Sequence, residues 1–84
     1  MTNNERITLG NLNAGQAAHV AELQGGRGFA ARMAALGFTP GARITMVQNF
    51  GHGPVIVLVR DTRIALGRGE VSRVRVTLNG DSHE

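Results

Sequence analysis

Three histidines and nine arginines carry what chemistry this chain can offer. A zinc or ferrous site needs three or four converging nitrogen, sulfur or oxygen donors. There is no cysteine, so the donors are His19, His52, His83 and scattered carboxylates. No two histidines stand three or four residues apart, and only His83 has an adjacent carboxylate, Glu84. No metal site or cofactor is expected. His19 and His52 are the residual candidates for a weak divalent ion. The simpler reading makes His19 a half-buried strand residue, His52 a solvated loop tip and His83 part of a polar tail.

Gly26-Arg27-Gly28-Phe29-Ala30-Ala31 has the spacing of a dinucleotide-binding turn between a strand and a helix. A ribose-binding acid should follow about 20 residues on. Gln48 and Asn49 stand there instead. The glycines are therefore read as the turn into a helix. No serine, threonine or cysteine sits in a nucleophile setting, and Asp61 and Glu70 are read as salt-bridge partners of Arg60, Arg63 or Arg68. The chain is not expected to be an enzyme. Arg60, Arg63 and Arg68 gather around one hairpin, and Arg73 and Arg75 share the outer face of the last strand. Such a surface is either a solvated face or a docking patch for an acidic partner, because guanidinium forks suit carboxylates.

Composition narrows the classes further. The pI of 11.5 overstates a net charge of only +3. With no lysine, tyrosine or cysteine, few groups titrate between histidine and arginine, so the pI slides upward. It gives no ground for nucleic-acid binding. There is no tryptophan or tyrosine, and the three phenylalanines are read as core or cap residues. That disfavours a groove for proline-rich peptides and a stacking platform for single strands. Met1 to Arg6 lacks a signal-peptide pattern. The apolar run Val55 to Val59 is far too short to span a bilayer. A soluble, cytoplasmic protein is expected.

The positioning element is a short helix, expected over about residues 28–37. Phe29, Met33 and Leu36 fall at i, i+4 and i+7 and share its inward face. Gly37 supplies a left-handed cap, Phe38 folds back on the last turn, and Pro40 and Gly41 forbid continuation. Around it the pattern predicts about five short strands. They are Gln16 to Gln24, Ala42 to Phe50, Val55 to Val59 (covered on both faces), Arg63 to Gly67 and Ser72 to Leu78. Thr8 would cap a single helical turn before them, and Arg68 to Val71 would form another. Asp61-Thr62 is the expected turn of the central hairpin. Strands at this spacing predict a mainly β fold, a small closed antiparallel barrel with the helix plugging one end. One domain, 7–78, is flanked by flexible tails, 1–6 and 79–84.

The order Leu12-x-x-Gly15, Leu36-Gly37-Phe38-x-Pro40-Gly41, Gly53-Pro54, Ile64-Ala65-Leu66-x-Arg68-x-Glu70 and Val74-x-Val76 resembles the FeoA domain family over about residues 7–78. Gly69 and Val71 depart from its usual residues, and Asp61-Thr62 replaces a glycine-containing turn. The resemblance implies an SH3-like barrel with an inserted helix. It implies a small cytoplasmic accessory of bacterial ferrous iron uptake, acting on the membrane transporter FeoB. A monomer or weak dimer without membrane insertion is expected. The alternatives are a free-standing regulatory module of an iron-dependent repressor system and a transition-metal-binding protein. The absence of a helix-turn-helix weighs against DNA reading.

Overall fold

The computed structural model describes residues 6–78. The elements are β1 (Arg6–Thr8), β2 (Ala17–Leu23), α1 (Gly26–Ala35), β3 (Arg43–Gln48), β4 (Val55–Val59), β5 (Thr62–Leu66), α2 (Arg68–Val71) and β6 (Val74–Thr77). A 3₁₀ turn at Leu9–Asn11 follows β1. Apart from Arg6, which opens β1, the expected tails lie outside the described residues, as does His83.

The strands form one antiparallel sheet in the order β1-β6-β2-β3-β4-β5. The mainly β reading with one inserted helix and a short helical turn at 68–71 therefore holds. Two points differ. The described residues form six strands, because Ile7 pairs with Val76 in a segment too short to show a period of its own. The sheet is also barrel-like without closing: β1 and β5 are its two edges. Its curl comes from bulges between Val20 and Glu22 in β2 and between Met46 and Gln48 in β3, which bend a strand and raise its twist. The first bulge also brings Leu23 against the core, although strict alternation would put it on the face opposite Val20.

Inside the curl, Val20, Ile44, Met46, Val57, Val74 and Val76 are buried with Leu9, Leu12 and Phe38. Strand β4 is buried at every second residue, not on both faces: Val55, Val57 and Val59 point in, while Ile56 and Leu58 are half-buried. No polar or charged residue is buried among the described ones. Burial of apolar surface is therefore the main holding force, at about 25 cal/mol per Å² removed from water.

Helix α1 starts two residues earlier than its apolar spacing suggests and ends at Ala35. Gly25 precedes it because the Phe29 ring lies against that backbone; a Cβ there would come within 2.7 Å of the ring. The stop is a complete Schellman motif. Gly37 N–H donates to the Ala34 carbonyl at 2.9 Å and Phe38 N–H to the Met33 carbonyl at 2.9 Å, satisfying carbonyls the helix would leave orphaned. Gly37 has φ +99°, and a Cβ would stand 2.9 Å from Val59 Cγ1. Only glycine fits there. Phe38 is fully buried, so the helix stop is also the helix anchor. Phe29 and Met33 face inward as expected, but Leu36 does not. It is 38% exposed, because the chain reverses at Gly37 and hands the buried position to Phe38. Thr8 makes no side-chain cap bond.

Candidate functional site

The hairpin β4–β5 has a two-residue turn at Arg60-Asp61, one residue earlier than expected, with Val59 opposite Thr62. Both turn residues have positive φ, +52° and +66°. A tight primed turn demands that geometry and usually meets it with asparagine and glycine. For arginine and aspartate the left-handed conformation costs about 1–2 kcal/mol per residue. Such local strain concentrates at functional positions. Here it holds the exposed Arg60 at a corner where two open depressions meet. One, of about 630 Å³, is lined by Thr39, Arg43, Thr45, Leu58, Arg60 and Asp61. The other, of about 370 Å³, lies between the end of α1 and the hairpin and is lined by Ala34, Leu36, Gly37, Val59, Arg60 and Ile64. The first is of mixed polarity and carries two guanidinium groups, Arg43 and Arg60. The second is mostly apolar and contains Leu36, whose exposure it explains.

The five arginines of the predicted patch divide into distinct environments. Arg60 and Arg63 are exposed on the hairpin, and among the described residues neither has a carboxylate within ion-pair distance. Arg68 is committed inward: its Nε donates to the Gly53 carbonyl and its Nη2 to Asn49 Oδ1, both at 2.7 Å. Arg73 lies 5.5 Å from the Phe29 ring centroid, with Arg32 at 5.7 Å, both within cation–π range. Arg75 donates to Gln24 at 3.3 Å. The expected pairing of Glu70 is corrected. Its Oε2 accepts from Arg32 at 3.1 Å, while its Oε1 accepts from the Gly67 N–H at 3.0 Å. The sequence concealed this because Arg32 and Glu70 meet only once α1 lies beside α2. Among the described residues, Asp61 forms no ion pair.

Phe50 is neither core nor cap. It is 71% exposed on the loop between β3 and β4, where the reversal at Gly51 turns its ring away from the sheet. Asn49, beside it, was invisible as a structural residue. Its amide donates to the Gly10 and Leu12 carbonyls at 2.9 and 2.7 Å and accepts from the Gly51 N–H and Arg68. All its hydrogen-bonding capacity is used.

His19 is half-buried on β2 between Arg43 and Thr77, neither of which offers a metal a ligand of its usual kind. His52 is exposed in the β3–β4 loop. Among the described residues no three of histidine, cysteine, aspartate and glutamate gather as a metal would need. Among the described residues the donor set does not make a site for a resident ion.

The FeoA domain model matches residues 7–78, nearly the whole described chain. The chain belongs to the FeoA family. This FeoA domain is similar to an iron uptake regulatory protein, FeoA, at 30% identity and TM-score 0.82, over 87% of this chain and 97% of that one. It is also similar, at 35% identity and TM-score 0.73, to Stenotrophomonas maltophilia FeoA. That protein was solved with zinc and is described as a procaryotic SH3 domain protein and a candidate activating factor of bacterial ferrous iron transport. The match covers 83% of this chain and 88% of that one. A manganese-dependent transcriptional repressor shares the fold at TM-score 0.80, but at 16% identity and over only 42% of its own length. Among curated protein sequences none matches. The FeoA domain is thus a small SH3-like fold of the ferrous iron transport family. Among the described residues no helix is long and apolar enough to cross a membrane.

Proposed function

We propose that this FeoA domain is a non-catalytic cytoplasmic accessory of ferrous iron uptake that binds the cytoplasmic part of the FeoB transporter. The observation that carries this reading is the corner at Arg60: two guanidinium groups, Arg60 and Arg63, with no carboxylate partner among the described residues, beside an apolar depression that includes the part-exposed Leu36. Central apolar contact with a charged rim is the anatomy of a protein-binding surface. On this reading the chain acts as protein alone, without a resident cofactor. The likeness to the repressor extends to fold only, so the regulatory alternative gains no support from a particular residue.

The test is a calorimetric titration of the soluble FeoB cytoplasmic domain with the wild-type chain and with single reversals. Arg60→Glu and Arg63→Glu should each weaken binding by roughly tenfold, since a reversed charge meets the partner's acids with the wrong sign. Arg75→Glu should change it little. Absence of wild-type binding would contradict the reading. Equal binding by all variants would remove this corner from it.

A further inference from the structure

Among the described residues strand β5 has a neighbour on one side only. Val59 and Thr62 close a two-residue turn and form a hydrogen-bonded pair. Alternation in an antiparallel ladder then directs the backbone groups of Thr62, Ile64 and Leu66 to β4. Those of Arg63 and Ala65 point away, to the open edge. Both residues are exposed. Edges are normally blunted by charged side chains, proline, bulges or very short strands. The other edge, β1, is blunted by its length, three residues. Strand β5 has five residues, no proline and no bulge; Arg63 is its one charged side chain, and the small Ala65 is its fourth residue.

The space beside this edge is shaped. Thr62 and Ile64 line the apolar depression with Ala34 and Leu36. A strand laid along β5 would place alternate side chains over that depression. Arg60 and Arg63 flank the same edge without carboxylate partners among the described residues. We propose that β5 accepts an extended segment of a partner protein as a seventh strand. That segment places a β-branched or other apolar residue over Leu36 and Ile64 and carries acidic residues on either side. Backbone bonds to Arg63 and Ala65 supply affinity, and the depression and the guanidinium groups supply selectivity. A second copy of this chain is the poorer occupant. Strand β5 carries an arginine and no carboxylate of its own, so a second copy laid along it offers no acidic flank to Arg60 and Arg63. The identity of the partner rests on the FeoB reading; the strand-addition site rests on the edge itself.

The test uses a seven-residue blocked peptide with a Val-Thr-Val centre and two glutamates at each end, titrated into isotope-labelled chain and followed by NMR. The amides of Arg63 and Ala65 should shift most. Methylation of the peptide nitrogens that face β5 should abolish binding, and methylation of the alternate nitrogens should not. Ala65→Pro removes an outward N–H, which edge strands tolerate, and should weaken the peptide roughly tenfold or more. Leu36→Glu, at an already exposed position, should do the same without touching the sheet. Equivalent behaviour of the two methylated peptides, unchanged binding by both variants, or no shift at Arg63 and Ala65 would overturn the proposal. Wild-type chain that binds the peptide but not the FeoB domain would remove the FeoB reading and leave the edge. An Ala65→Pro chain that binds the FeoB domain at full strength would remove the edge and leave the FeoB reading.

Discussion

Replacing Phe38 with alanine is expected to cost about 3–5 kcal/mol, the range for emptying a buried phenylalanine site. The ring is fully buried, and its backbone N–H closes the helix stop on the Met33 carbonyl. The loss is therefore a cavity under α1 as well as apolar surface left unburied. Small domains hold only about 5–15 kcal/mol in all, so the variant should sit near the edge of folding. Urea denaturation and thermal melting measure it directly. Phe50→Ala is the matched control, because a ring 71% exposed should change stability by no more than about 0.5 kcal/mol. Similar losses in both would show that the helix plug is not what holds the sheet together.

The second large effect is expected at Asn49. Its side chain ties the 3₁₀ segment, through the Gly10 and Leu12 carbonyls, to the β3–β4 loop and to Arg68. Four hydrogen bonds at about 1 kcal/mol net each, partly replaced by water, put Asn49→Ala at a loss of about 2–4 kcal/mol. Asn49→Asp is the sharper probe. It keeps the size but turns an oxygen toward two carbonyl oxygens that now receive an N–H, so it should not rescue the alanine variant. Equilibrium denaturation of the pair decides it. If aspartate restored wild-type stability, the amide would not be oriented by this network.

The fold was legible where period and punctuation agree. Phe29, Met33 and the Gly37-Phe38-Pro40 stop define α1, and the alternations Ile44/Met46 and Val74/Val76 define β3 and β6. It was illegible where a long-range partner decides the outcome. Three residues of β1 carry no period, and only β6 makes them a strand. Leu36 satisfies helical spacing, yet the reversal at Gly37 places Phe38 in the slot that Leu36 would fill. Arg60-Asp61 lacks the glycine that advertises a primed turn, although the backbone adopts one. At the site, sequence clustering named five arginines. Among the described residues the geometry leaves Arg60 and Arg63 without acidic partners and ties Arg68 to Asn49 and Gly53 across 19 and 15 positions of chain. The apolar depression at Leu36 was out of reach for the same reason: it exists only where α1 ends against β4 and β5.

On the proposed reading, this domain grips its partner at the corner formed by the end of α1 and the β4–β5 hairpin. Amide hydrogen exchange of the chain, alone and saturated with the FeoB cytoplasmic domain, tests it most directly. The account predicts slowed exchange concentrated in residues 34–37 and 60–66, with Arg63 and Ala65 most affected and β1 unchanged. Protection confined to β1, β6 or the Phe50 loop, with the hairpin exchanging as in the free chain, would contradict it.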